Sequence, residues 1–418
     1  MNFELFIAKR IIAAKQYKSS VSSPIIKIAV LAIALGMIMM LIAVAAGMGL
    51  QKKIQEKVAA FNGHVVISKY DNNTSDVSAK PIALYQDFYP DFKSVEGIKY
   101  IQPIANKAGV IRTETDFEGV NLKGVNKDYN WSYFKDFLIS GRLPNVSGKR
   151  ENSEILISEY LANRLGFKLG STVTTHFPKE DLEKLPNTRN FKVVGIYNSG
   201  FQDFDKTILI ADIRHIQRMN KWKKNTENDY VEVGGFEVFL EDFNQLDVKA
   251  KEIYQNTDSF LKVTSIKDKY YTIFEWIKIF DFNIYIIIGV MILISVINMS
   301  VMLLVLILEK TKLIGLLKAM GGNNWSVRKI FLYNASYIVL VGLFWGNLIG
   351  LGLLFIQKQF KLFPLDPSNY YVTEVPVYMN FWIITALNVG TFVICFLLLL
   401  IPSQIITKIS PVKAIRFE

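Results

Sequence analysis

One cysteine and three histidines stand in a chain of 418 residues. The thiol, Cys395, lies inside an apolar run, so an intramolecular disulfide is excluded, and a disulfide-stapled extracellular domain with it. His64, His176 and His215 are far apart, and none stands at ligand spacing from another ionisable group, so no metal site is expected. The chain has no G-x-x-x-x-G-K-[ST] loop to cradle nucleotide phosphates and no G-x-S-x-G elbow to raise a nucleophilic serine. Neither catalysis nor a resident cofactor is expected.

Charge is missing in a patterned way. Asp, Glu, Lys and Arg are absent from 28–50, 284–308, 330–356 and 381–401. A bilayer core needs roughly 20 apolar residues of helix, and a buried helix of a soluble domain rarely runs so far without a charge. Four transmembrane helices are expected. The first is too long, and its leader too extended, for a cleavable signal, so it reads as an uncut anchor. With no ionisable group inside the runs, a proton- or ion-coupled carrier lacks its buried relay, and energy must come from another source.

The charges that are present set orientation. The leader 1–27, the segment 309–329 and the tail 402–418 together hold 13 basic and 3 acidic residues, whereas 51–280 is close to neutral. Bases flanking spans stay on the cytoplasmic side, so both termini and 309–329 are expected inside, with 51–280 and 357–380 outside. The net charge of +11 is thereby a matter of topology, and a nucleic-acid partner is not expected.

The inserted segment 51–280 is long enough for a domain and reads as α+β. Strand patterns occur at 64–68, 109–112, 154–157, 191–196, 207–210, 235–240 and 260–263. Ser158 can cap a helix ended by Gly166, Asp212 can cap one through Ile216, and 246–254 is helical. The late β-α-β run suggests a subdomain where chain from before and after the middle portion meets. A polar excursion between two strands, Phe177 and Pro178 through Leu185 and Pro186, reads as a protruding loop.

In 309–329, Leu313, Leu316, Leu317 and Met320 recur at helical spacing, with Lys312 and Lys318 off that face; Gly321-Gly322 stops the helix and Asn323 or Asn324 caps the next. Two readings fit: a basic amphipathic helix resting on the inner leaflet, as Phe3, Phe6 and Ile7 of the leader could also do, or a knob that docks into a cytoplasmic protein. Gly342, Gly346 and Gly350 give the third span a smooth packing face, and Ser295, Asn298 and Ser300 place hydrogen-bonding groups in the second. Methionines 37, 39, 40 and 48 suit either plain lipid exposure or a groove for irregular apolar ligands.

Five stretches carry a resemblance: Phe6-Ile7-Ala8-Lys9-Arg10; Leu317-Lys318-Ala319-Met320-Gly321; Val193 to Gly200 with Asp203-Phe204-Asp205; Asn369-Tyr370-Tyr371-Val372-Thr373-Glu374-Val375-Pro376-Val377; and the closing Ser410 to Glu418. With the topology, they resemble permeases of the MacB-like ABC transporters, and within them the lipoprotein-releasing LolC/LolE type, over nearly the whole chain. The resemblance implies four transmembrane α-helices with a large α+β extracytoplasmic domain between helices 1 and 2, in a bacterial inner membrane. It implies a cytoplasmic ABC ATPase dimer holding ATP and Mg, a second permease, a triacylated lipoprotein substrate and a periplasmic lipoprotein carrier. Residues matched to those roles are Leu313, Leu316, Leu317, Lys318 and Met320 for ATPase coupling. Met40, Val44, Met48, Leu50, Ile286, Val290 and Leu293 are assigned to the implied lipoprotein groove by depth, size and apolarity, not by a motif, and Phe177, Pro178, Leu185 and Pro186 to a carrier-binding loop, with a plain surface loop as the other reading. A cell-division permease that activates a wall hydrolase, or a split MacB-like exporter, would share the topology.

Overall fold

The computed structural model describes residues 3–13, 22–70, 80–148, 150–179 and 183–410. Its chain divides into two compact units, a membrane unit of Met1–Gln51, Trp276–Pro364 and Glu374–Glu418, and an inserted domain of Lys52–Glu275 with Leu365–Thr373. The inserted domain starts at Lys52 and its main part ends at Glu275, against the expected 51–280. The segment 365–373 had been assigned to a membrane-flanking loop and instead belongs to the inserted domain.

In the membrane unit, four helices are long and apolar enough to cross a bilayer: Ser22–Asn62, Tyr271–Glu309, Asn324–Phe360 and Phe381–Leu399. The third span packs on the first through its glycines. A Cβ added at Gly342, Gly346 or Gly350 would lie 2.8 Å from Ile33 Cβ, 2.7 Å from Met37 Cβ and 3.0 Å from Leu41 Cδ1. Lipid tails are as apolar as the side chains they would replace, so close van der Waals approach carries such packing rather than solvent exclusion. Ser295 faces the first span at Gly36, bonding its own helix through Met291 O at 2.8 Å. The leader helix Phe3–Ala13 buries Ala8 and, with Ile7 and Ile11, joins the core around the cytoplasmic end of the third span, Glu4 lying 3.8 Å from Lys329. Phe3 of the leader's apolar face stays exposed and Phe6 is half-buried.

The inserted domain is built on a ten-stranded sheet. Its strands are β1 (Val65–Lys69), β2 (Ile98–Arg112), β3 (Phe117–Val125), β4 (Leu138–Gly141), β5 (Glu154–Ser158), β6 (Thr172–Phe177), β7 (Asn187–Tyr197), β8 (Ile208–Asp212), β9 (Gly235–Leu240) and β10 (Leu261–Ser265). They lie in the order β10-β1-β9-β2-β3-β8-β5-β7-β4, with β6 pairing β2 and β7. β1, from before the middle portion, pairs β9 and β10 from after it, as the β-α-β pattern suggested. Ser158 Oγ accepts from Leu161 N at 3.1 Å, and Gly166 ends that helix in the left-handed region. Asp212 accepts from Arg214 N at 2.9 Å, one residue before the helix Arg214–Met219 is entered.

Candidate functional site

The knob between the second and third spans is the helix Thr311–Ala319, stopped by Met320 and by Gly321 at φ +92°. Its inner side carries Ile314 and Gly315, both buried, with Leu317 packed against the same core. Lys318 Nζ donates to Ile406 O at 2.7 Å and Ile409 O at 2.8 Å, closing the exposed carbonyls of the chain after the fourth span. Burial of that ammonium holds its pKa below the usual lysine range. Of the five residues matched to ATPase coupling, Leu316 (52% exposed) and Met320 (76%) face outward, and Leu313 is half-buried. Leu317 and Lys318 point inward and hold the knob in place, which corrects their assignment as contact residues. The outer surface also takes in Lys312 and Trp325, whose ring lies 5.1 Å from the Arg328 guanidinium. Trp325 was passed over in the sequence as part of the next helix's start, although a tryptophan beside two bases is a contact-residue signal.

The groove assignment is half corrected. Ile286, Val290 and Leu293 of the second span are exposed, as a lipid-facing surface requires. In the first span Met40, Val44 and Leu50 are buried in the membrane unit and Met48 is half-buried; Val44 and Met48 line a small pocket with Leu354 of the third span and Ile384 and Leu387 of the fourth. The open stripe of that helix is Ile28, Leu31, Leu35 and Met39. The difference is one of rotation about the helix axis. One residue step turns a helix by about 100°, so Met39 faces out while Met40 faces in, and the third span's glycines select which side is covered.

The excursion after Phe177 is a hairpin connection between β6 and β7. Phe177 itself is fully buried, 6.5 Å edge-on to Phe191, so it anchors the hairpin and offers no surface to a carrier. Pro178 is half-buried, while Leu185 (84% exposed) and Pro186 stand out. Residues 180–182 of this loop, and 411–418 of the closing motif, lie outside the described residues.

Two of the motifs behind the resemblance, distant in sequence, meet in the inserted domain. The turn Asn198-Ser199-Gly200-Phe201 follows β7, with Gly200 at φ +66° and its N–H donating to Asn198 Oδ1 at 2.7 Å. Phe201 stacks on Tyr371 at 4.5 Å and 18°, and on Phe204 at 4.6 Å and 19°. Lys57 Nζ donates to Tyr371 O at 3.0 Å, and Leu365 N to Thr373 O at 2.9 Å closes the segment that bears Tyr371. Phe204 continues to Phe61 at 4.7 Å, and Phe61 to Phe134 at 5.2 Å. Asp205 accepts from Ser199 Oγ at 2.7 Å; burial pushes its carboxyl up to about 6, against the pull of those Ser199 hydrogen bonds.

The same aromatic cluster surrounds the end of the first long helix. Gly63 takes φ +65° and its N–H bonds Ala59 O at 2.7 Å, which terminates the helix at Asn62. Lys123 Nζ then donates to Phe61 O at 2.8 Å and to Glu237 Oε1 at 2.6 Å, while Glu237 Oε2 accepts from Gln102 Nε2 at 2.9 Å. All three polar side chains are almost wholly buried. Burial draws the Lys123 ammonium's pKa down, with Glu237 opposing. Tyr270 Oη adds a bond to Asn62 Oδ1 at 2.8 Å. The helix end is thus fastened to β3, β9 and β2 by a closed polar network. The inserted domain holds a closely fastened helix end, and the knob presents the exposed Leu316 and Met320.

A family model described as the MacB-like periplasmic core domain matches residues 28–254, and one described as the FtsX-like permease C-terminal matches residues 285–411. The lipoprotein-releasing system transmembrane protein LolC of Neisseria meningitidis serogroup B is 20% identical over 100% of both chains. LolC of Xylella fastidiosa is 21% identical over 93% of each. Among solved structures, the periplasmic region of MacB from Actinobacillus actinomycetemcomitans aligns with 51% of this chain and 95% of its own, at 16% identity and a TM-score of 0.32.

Proposed function

The chain belongs to the MacB-like family of ABC transporter permeases, with an FtsX-like C-terminal part, and on that premise we propose that it releases lipoproteins from the inner membrane. It is the permease subunit of an ATP-driven complex that passes lipoproteins to a periplasmic carrier for sorting to the outer membrane. The observation that carries this reading is the end-to-end alignment with a lipoprotein-releasing permease, covering all of both chains.

The division of labour follows from what each part offers. ATP, with its Mg, is hydrolysed on a separate cytoplasmic ATPase dimer. Leu316, Met320 and Trp325 are the apolar, exposed side chains that such a partner grips, and Lys318 keeps the knob from swinging free of the fourth span's end. Motion passes from the knob to the spans and on to the inserted domain, which has the fastened end of the first long helix and the Tyr371 segment as its handles. A second permease, of the same or a related chain, faces this one. The acyl chains of a triacylated lipoprotein are taken up along the exposed sides of the first two spans, Leu31, Leu35 and Met39 with Val290 and Leu293. Leu185 and Pro186 are placed to meet the carrier. The basic cytoplasmic flanks support an orientation with both termini inside.

The test is depletion of the chain in its own cell, followed by fractionation of membranes. Outer-membrane lipoproteins should accumulate in the inner membrane; normal sorting would remove the lipoprotein reading. Replacing Leu316 and Met320 together by aspartate should abolish co-purification of the ATPase, and continued association would move the coupling surface elsewhere.

A further inference from the structure

Spans three and four leave between them an apolar groove of about 1040 Å³. Its long wall runs from Leu340 to Phe355. At 1.5 Å of rise per residue that is about 22 Å, well over half of a hydrocarbon core of about 30 Å. Gly352 opens the wall near its Phe355 end: a Cβ built there meets nothing within 4 Å. The fourth span is the least covered of the four, with 17% of its apolar window buried.

The groove makes no polar demand on an occupant. Asn347 and Asn388 are the polar side chains on its lining, and they satisfy each other, Nδ2 to Oδ1, at 2.6 and 3.0 Å. Their amides also donate to Leu343 O and Ile384 O at 2.7 and 2.8 Å. A neighbouring helix seeking an interhelical hydrogen bond would find none to make, whereas a hydrocarbon chain loses nothing. At the mouth the character changes. Lys358 follows Phe355 by three residues and Leu351 by seven, so it stands on the lining face one turn beyond the last apolar residue, and it is exposed. The nearby Lys361 is already paired with Glu374 at 2.9 Å. Trp382, 77% exposed at the start of the fourth span, marks the same end as the membrane–water interface.

We infer that this groove is a binding site for a phospholipid of anionic headgroup, one acyl chain lying along Leu340 to Phe355 and the phosphate meeting Lys358. The length of the wall, the closed asparagine pair and the single cation at the mouth together select a chain with one charged end. The lining includes no residue of the Leu31, Leu35 and Met39 stripe of the first span, and the inference rests on the spans lying in a bilayer rather than on the proposed cargo.

The full chain, extracted in mild detergent and washed free of bulk lipid, is the material for the test. Native mass spectrometry and organic extraction would count phospholipid per chain. One tightly held anionic phospholipid is expected in the wild type. Gly352→Trp places an indole in the groove from a position whose Cβ meets no protein atom within 4 Å, and should lower occupancy about tenfold or more, by displacing buried methylenes. Gly390→Trp, on an open part of the fourth span outside the lining, should leave it unchanged. Lys358→Glu should turn the retained lipid from anionic to zwitterionic. Should Gly352→Trp not fold, Val389→Trp blocks the groove from the facing helix. Undiminished lipid in a folded groove-filling variant would overturn the site, as would recovery from the groove of an acylated polypeptide, or of a second copy of the chain, in place of phospholipid.

Discussion

The membrane unit and the inserted domain solve the same problem, holding long elements together, by opposite means. In the membrane unit the tightest contacts are made by residues with almost no side chain: Gly342, Gly346 and Gly350 against Ile33, Met37 and Leu41. In the inserted domain they are made by the bulkiest and the most polar: the Phe61, Phe134, Phe201, Phe204 and Tyr371 rings around a buried Lys123–Glu237 pair. The difference follows from the solvent. Water drives large apolar rings together and makes a buried ion pair tolerable only with complete hydrogen bonding, whereas lipid gives no such drive and rewards close backbone approach.

That contrast can be broken most severely at the ion pair. Glu237→Ala leaves a buried ammonium uncompensated and should cost the inserted domain about 3–5 kcal/mol, read as lost hydrogen-exchange protection over β1 and β9 in the full chain. Lys123→Met combined with Glu237→Leu should recover most of it. Retained protection in the single variant would mean that the pair does not hold the domain. On the membrane side, Gly346→Leu drives a side chain into Met37 and Ala34 and should cost about 1–3 kcal/mol in denaturation from detergent. Gly352→Leu, in open space, should stay within error. Equal behaviour of the two glycines would erase the distinction between a packing face and a lipid face.

The junction of Phe201 with Tyr371 sharpens the comparison at smaller scale. A double-mutant cycle with alanine at both should give a coupling of about 0.5–1.5 kcal/mol beyond simple burial, and either single variant should hasten proteolysis within 365–373. Additive singles would show the stack to be incidental.

The smallest effect is in pH. Burial, helped by the charge of Lys99, pushes His64 down to about 4, and its Nδ1 accepts from Leu240 N at 2.8 Å, which only a ring unprotonated there can do. As pH falls from about 6.5 toward 4, the unfolded chain gains a proton that the folded chain refuses, so stability falls. Asp205, raised to about 6, works the other way: between about pH 4 and 6 the folded chain keeps a proton that the unfolded chain releases, so its contribution is lost as pH rises. The two nearly offset in the wild type, whose stability should vary by only about 1 kcal/mol between pH 4 and 6. His64→Gln should expose the Asp205 slope, with stability decreasing as pH rises through that window; a flat or rising profile would contradict the assignment.

Much of this architecture was legible in the chain. Uncharged runs marked the spans, alternation at 64–68 and apolar runs at 154–157 and 191–196 marked the strands Val65–Lys69, Glu154–Ser158 and Asn187–Tyr197, and of the two candidate caps Asn323 and Asn324 it is Asn323 that caps the third span's helix, accepting from Ser326 N at 2.7 Å. Less legible were the directions in which side chains point. Leu317 and Lys318 share the knob with Leu316 and Met320 yet turn inward, because the tail after the fourth span supplies carbonyls that no local pattern announces. Phe177 carried the look of a loop residue but closes a strand. Lys123 and Glu237 read as ordinary polar positions of two strands until the sheet brings them to 2.6 Å.

Composition and periodicity by themselves determined the four spans, the α+β insertion between the first two, the basic flanks and the helical knob, since each is set by local hydropathy, local charge and local turn chemistry. Tertiary structure alone decided the rotation of each span, the joining of 365–373 to the inserted domain, the fastening of the first helix's end and the open groove between spans three and four. Those depend on which distant residues come to share a face, and a one-residue change of phase, invisible to hydropathy, turns a helix by about 100°.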